Sequence, residues 1–378
     1  MPKPASLLLL MALFAASAVI YGGHEMPVYP SYYPQEIRVE TVAPQAAAQL
    51  LQDAKIHAYV GDERVFDKST PKSIGYVDSL GAYVVLSLNR SPELTNDRRS
   101  ACDLRDGMVQ RLSKARVESF VFHPYPVNPF HGDYLQHYDL AQTARKRYLD
   151  MAKSSPVQMK LKAEGELAAQ LAAPYGQANA SEWDATVVEI AVARLLSSER
   201  YQLNGWLAPP WPKQGWFHAY LLLGESLRDP QTKARAEVAA QRLRTGEYQQ
   251  PEERLNLERE LISLLTSDCS TTVVGYATRR QYFNTDFSAG IENIAYDSHA
   301  GFNSAIFIRT VKLKDFPWNG WLRLGIDGSP TAAWNPIAGF TDEAGQLIWW
   351  ALGDPALFPA PYADGWELNR IVDVREGK

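Results

Sequence analysis

Apolar and polar residues alternate with a period of two along Ile37-Arg-Val-Glu-Thr-Val42, which predicts a strand with one buried face. The pattern then switches to an alanine- and leucine-rich helix over Ala43 to Lys55, with Pro44 in its first turn, and returns to a strand at Ile56-His-Ala-Tyr-Val-Gly61. Further strands are read at Gly75-Tyr-Val77, Ala82 to Leu88 and Val117 to Phe122, with a charged helix across Asp97 to Lys114. From Leu140 to about Ser267, apolar residues recur at three- and four-residue spacing, as in Glu182 to Arg200 and Glu252 to Leu265, so the middle reads as helical. Beyond Thr271 that period fades. Strand-like runs follow at Ala305 to Leu313 and Trp321 to Ile326, and Ile348-Trp-Trp-Ala-Leu352 reads as a short buried strand.

These elements predict an α+β (mixed) chain: an N-terminal α/β unit over 24–139, a helical unit over 140–268 and a β-rich, aromatic C-terminal unit over 269–378. At 378 residues the chain exceeds the usual reach of one hydrophobic core. Before these units, Lys3 is followed by an apolar run from Ala5 to Tyr21 containing Ala16-Ser17-Ala18. Positive charge, an apolar stretch and a small-x-small site make a signal peptide. The run is also close to the length of a membrane-spanning helix. Residues 1–23 are therefore expected to be a cleaved signal or a retained anchor, with the body in the periplasm or on the outer face of the inner membrane.

Composition narrows the function classes. A formal charge of -5 and a pI near 5.9 give no field to gather phosphates, so nucleic acid is not expected as a partner. The 2 cysteines, Cys102 and Cys269, have no C-x-x-C spacing, which argues against zinc ribbons and haem attachment. In an oxidising compartment they are expected to pair with each other. No G-x-S-x-G, phosphate loop or G-x-G-x-x-G is present, so no catalytic motif names a reaction and no cofactor is assigned. Glu189, Glu199, Asp286, Glu292 and Asp297 are possible members of an acid pair but stay unassigned.

Two stretches carry candidate chemistry. His123-Pro-Tyr-Pro-Val-Asn-Pro-Phe-His131-Gly-Asp133-Tyr-Leu-Gln-His137 holds three of the 7 histidines directly after a strand. Imidazoles with a carboxylate suit a transition-metal ion, so His123, His131, Asp133 and His137 form a candidate metal set. The alternative is that they cap turns in a proline-stiffened connection. His123, His131 and Asp133 are expected at the mouth of a cleft between packing units, with His137 already in the following helix. The second stretch, Trp206-Leu-Ala-Pro-Pro-Trp211-Pro-Lys-Gln-Gly-Trp216, joins flat aromatic faces to rigid backbone. Trp206, Trp211 and Trp216 are candidate ligand-binding residues, or a plug between helices.

The helix-then-strand segment Ala46-Ala-Ala-Gln-Leu-Leu-Gln-Asp-Ala-Lys-Ile-His-Ala-Tyr-Val-Gly61 resembles an element of periplasmic solute-binding proteins. The resemblance covers sixteen residues, implies an exported ligand binder and transfers no binding residue. The helical middle departs from the two-lobed α/β pattern of that family. Three functions follow: an exported or membrane-tethered accessory protein binding a small ligand, an exported metal-dependent hydrolase using His123, His131 and His137, or a structural subunit of a membrane-associated complex.

Overall fold

A computed structural model describes residues 34–66, 69–89, 98–151, 160–175, 183–196, 211–286, 290–314, 320–331, 342–353, 357–363 and 365–368. The expected signal or anchor and Trp206 lie outside the described residues. No helix among the described residues is long and apolar enough to cross a membrane.

The N-terminal β-α-β reading corresponds to β1 (Glu36–Thr41), α1 (Pro44–Gln52) and β2 (Ala58–Val60). The two runs read at 75–77 and 82–88 are parts of one strand, β3 (Ile74–Leu88), followed by α2 (Arg98–Leu112), β4 (Phe120–Phe122) and α3 (Tyr134–Asp150). Next come β5 (Leu161–Glu164), α4 (Glu166–Ala172), β6 (Ala185–Ala191), α5 (Val192–Leu196), α6 (Gly215–Leu223), α7 (Pro230–Thr245) and α8 (Pro251–Leu265). The remainder is β7 (Thr271–Asn284), β8 (Ile291–Asn293), α9 (Ala305–Thr310), β9 (Lys312–Leu313), β10 (Trp321–Ile326), α10 (Glu343–Leu352), β11 (Leu357–Pro359) and β12 (Trp366–Leu368). The fold is α+β, as expected.

One 8-stranded mixed sheet in the order β1-β10-β2-β7-β3-β6-β5, with β4 paired to β7, draws strands from all three stretches of the chain. β10 lies parallel between β1 and β2, while β3 runs antiparallel to both β7 and β6. Side chains of β3 alternate between two cores, as the period of a strand requires. Leu80, Tyr83 and Val85 pack with α6, α7 and α8, whereas Ala82, Val84 and Leu86 pack with α2 and α4. Covering both faces explains why the run Ala82 to Leu88 is almost continuously apolar. A third core joins β2 and β10 to α9 and α10.

Three sequence readings are corrected. Within Glu182 to Arg200, residues 185–191 form β6, paired to β3 and β5; the β-branched Thr186, Val187, Val188 and Ile190 favour the pleat over the helix. Ala305 to Thr310 is helix α9, with only Lys312–Leu313 in a strand. Ile348 to Leu352 belongs to α10, not to a strand. The Asp342 carboxylate accepts from the Gly345 amide at 2.8 Å and so caps the start of α10.

Cys102 on α2 is bonded to Cys269 just before β7, with their Cα atoms 5.0 Å apart. The expected disulfide is formed. It closes a loop spanning a sequence separation of 167 and pins α2 to the central strand.

Candidate functional site

The site begins at the middle of β3. Tyr83 is fully buried, and its hydroxyl stands 2.7 Å from both His131 Nε2 and His218 Nδ1. The remaining partners fix the tautomers. The Asn128 amide donates to His131 Nδ1 at 2.9 Å, so the proton of that ring sits on Nε2 and is given to the Tyr83 oxygen. His218 Nε2 donates to the Pro212 carbonyl at 2.6 Å, so its Nδ1 accepts from the Tyr83 hydroxyl. A single directed chain therefore runs from Asn128 through His131, Tyr83 and His218 to Pro212. Burial lowers the His218 pKa to about 4. Burial, then the neighbouring imidazoles, push His131 well below its ordinary value. Both rings stay neutral, as the chain requires.

A third imidazole completes this cluster. The His299 ring lies 5.0 Å from that of His218 and 5.6 Å from that of His131. It is delivered by the loop 297–304, which is fixed at many points. Asp297 Oδ1 accepts from the amides of His299 and Ala300, the Leu80 amide donates to the Ser298 carbonyl, and Gln281 Oε1 accepts from the Phe302 amide. Gly301 has φ +62°, and a Cβ there would stand 2.2 Å from Gln281 Oε1, so only glycine makes this turn. Burial, then the neighbouring His218 and Lys213, hold the His299 pKa well below normal, against a hydrogen bond to the Phe130 carbonyl that favours protonation. His299 Nε2 is buried without a hydrogen-bond partner.

His299 also lines a cavity of about 200 Å³. Pro212 and Lys213 form one side, Asn303 to Ile306 another, and the indoles of Trp350 on α10 and Trp366 on β12 contribute aromatic surface. Lys213 donates to Asp297 and to the Ala360 carbonyl, so one buried ammonium ties together three of the segments that enclose the space. Asn303 gives its amide NH2 to the Glu343 carbonyl at 2.9 Å, while its Oδ1 is buried and unpartnered. The cavity is thus apolar over most of its wall, with two lining residues that hold unused acceptor atoms.

The four residues of the candidate metal set do not share one site: Asp133 and His137 stay together, while His123 and His131 lie elsewhere. His123 donates through Nε2 to the Val127 carbonyl at 2.8 Å and packs edge-on to Tyr276. His131 belongs to the Tyr83 chain. Asp133 accepts from the amides of Gly215 at 2.7 Å and Trp216 at 3.1 Å, which stabilises the first turn of α6 against its exposed amides. His137 on α3 takes Tyr125 as partner at Nδ1, 2.9 Å away, and faces Glu258 on α8. Asp133, His137 and Glu258 bring ligand atoms within 4.8 Å of one another, as His131, His218 and His299 do separately. His123, His131 and Asp133 are all buried rather than set at a mouth.

Of the aromatic loop, Trp216 is core, edge-on to Phe217. Trp211 packs against the same core and its indole nitrogen has no partner. Among the acid candidates, Glu189 accepts from the Leu167 amide at 2.9 Å, while Asp297 lines the cavity. Sequence reasoning passed over Tyr83, His218, His299 and Glu258. The only signal available was the i, i+4 spacing of Asp133 and His137 at a helix start, which puts both on one face.

No protein-family profile matches the chain, and no curated protein matches its sequence. Among solved structures, it is similar to NikZ from Campylobacter jejuni in complex with Ni(L-His), at 14% identity and TM-score 0.36, covering 68% of this chain and 58% of that one. A putative peptide binding protein AppA from Clostridium difficile gives 13% identity and TM-score 0.42 over 71% and 58%. NikA from Brucella suis in complex with Fe(III)-EDTA gives 14% and 0.40 over 72% and 60%. The chain thus spans at most 60% of the length of each of these structures.

Proposed function

We propose that this chain is an exported ligand-binding protein whose ligand occupies the cavity beside His299. The observation that carries this reading is the pairing of an apolar, indole-bearing wall with the unpartnered buried acceptors His299 Nε2 and Asn303 Oδ1. Binding sites of small molecules combine such walls with a few convergent polar groups. An acceptor buried without a partner costs roughly 1–3 kcal/mol, which a ligand donor recovers once the His299 or Asn303 side chain turns that atom into the cavity. The ligand class is therefore a small molecule with an apolar body and a donating head, such as a primary amine. The disulfide Cys102–Cys269 supports a compartment outside the cytoplasm.

The hydrolase alternative has less support. His123, His131 and His137 would have to meet on one ion, but among the described residues His131 and His137 fall in separate clusters and His123 in neither, with one ring nitrogen of each already bonded to Val127, Tyr83 and Tyr125 respectively.

The test is a thermal-shift panel of small aryl and alkyl amines beside their N,N,N-trimethylammonium and carboxylate analogues. Amines should raise Tm and their analogues should not. The reading fails if no amine shifts Tm, or if Asn303→Leu and His299→Phe leave the shift intact.

A further inference from the structure

We propose that Asp133, His137 and Glu258 form a closed site for one divalent transition-metal ion, which clamps α3, α8 and the start of α6 together. The site shares no side chain with the cavity or with the Tyr83 chain.

Distance decides between a hydrogen bond and a bridged ion. His137 Nε2 and Glu258 Oε2 are 3.8 Å apart, too far for a hydrogen bond, and neither atom has another partner. Two ligands at about 2.1 Å from a common ion stand at most about 4.2 Å apart, so 3.8 Å fits an ion held between them. The third ligand atom, from Asp133, is within 4.8 Å of both. Each Asp133 oxygen takes one amide and keeps a lone pair, since a carboxylate has about four acceptor sites.

Charge points the same way. Asp133 and Glu258 are buried carboxylates in one site, and the side chains of His137 and Glu258 are 0% exposed. Arg254 meets the far oxygen of Glu258 at 2.7 Å; with His137 neutral, one negative charge of the two is left uncompensated. Buried charge without a partner is strongly destabilising. A divalent cation offsets it.

The other cluster is the instructive contrast. In His131, His218 and His299 an ion would have to displace the Tyr83 hydroxyl or the Asn128 amide from a ring lone pair. At Asp133, His137 and Glu258 no bond need break, provided that His137 donates through Nδ1 to Tyr125. One imidazole and two carboxylates are a donor set for zinc, manganese or iron(II) rather than for soft copper(I). Arg259 supplies independent support for the geometry. It donates to the Gln136 carbonyl at 2.6 Å and to Asp139 at 2.9 Å, holding α8 against the turn of α3 that carries His137.

The experiment uses purified protein unfolded in chelator without reductant, so that the disulfide survives, then refolded with or without Zn2+. We expect one Zn2+ per chain and a Tm raised by roughly 5 °C at a hundredfold excess over Kd. Co2+ in place of Zn2+ should give d–d absorption from a mixed nitrogen and oxygen field. Glu258→Gln should weaken Zn2+ binding at least tenfold and abolish the Co2+ bands, and His299→Phe should leave both intact. If Glu258→Gln does not refold, His137→Gln is read in its place. Absence of Zn2+ and Co2+ binding in the wild type would overturn the proposal, with a bridging water the simpler account of the gap. Binding that survives Glu258→Gln, or is lost in His299→Phe, would overturn it too.

Discussion

Tyr83 and His218 lie 135 positions apart in the chain and share a hydrogen bond of 2.7 Å, the central link of a directed chain that ends on the Pro212 carbonyl. Removing that hydroxyl strands the proton of His131 and the lone pair of His218 in a dry core. At roughly 1–3 kcal/mol for each unsatisfied group, Tyr83→Phe should lower stability by about 2–6 kcal/mol. Urea unfolding would show this as a lower midpoint at unchanged slope. A loss below about 1 kcal/mol would mean that the chain is not formed.

The Lys213–Asp297 pair is buried on both sides, with side chains 10% and 9% exposed. Lys213→Met leaves the Asp297 carboxylate without its cation, and breaking a buried pair in this way costs about 3–5 kcal/mol. Lys213→Met with Asp297→Asn should recover part of that loss. Additive losses in the double variant would show that the two groups do not act as a pair.

How much of this was legible in sequence depends on the range of the information. Strand β1, helix α1, the two ends of strand β3 and the Cys102–Cys269 bridge follow from local period, turn residues and cysteine count, while the continuity of β3 through Asp78 to Gly81 does not. Strand β6 and helix α10 do not, because Val187-Val188 and Trp349-Trp350 are apolar pairs compatible with either period, and β6 is decided by pairing with β3 while α10 is decided by the Asp342 cap. The sites are harder still. His131, His218 and His299 come from three separate regions and are joined only when the sheet and its covering helices assemble. His218 and His299 are isolated histidines in their own surroundings, sequence proximity groups His131 with the wrong neighbours, and Tyr83 carries no mark that separates it from other core tyrosines. The histidines of 123–137 are close in sequence but are dispersed by the Pro-rich turn and by the first turn of α3.

The disulfide gives a prediction about the unfolded chain. Closing a loop of this length removes unfolded-state entropy equivalent to about 5 kcal/mol at 25 °C. Cys102→Ala with Cys269→Ala should lower stability by up to that amount. Equal stability of the oxidised and substituted proteins in urea would remove the bridge from the account.

Acid should destabilise the fold through its neutral histidines. Burial, with the Arg323 charge adding to it, lowers His57 to about 4, and burial lowers His218 to about 4, against about 6.5 in the unfolded chain. The unfolded state therefore binds more protons between these values, and stability falls as pH drops from about 6.5 to 4. His57→Gln should flatten the slope of unfolding free energy against pH in that window. A slope unchanged in this variant would contradict the assignment.

The cavity remains the point on which the function turns. Trp350 and Trp366 line it beside His299 and Asn303, so intrinsic tryptophan fluorescence reports directly on occupancy. Titration of the purified chain with a small aryl amine should change that fluorescence saturably, with one site per chain, and Asn303→Leu should abolish the change. A response that is absent, or that persists in Asn303→Leu, would contradict ligand binding at this cavity.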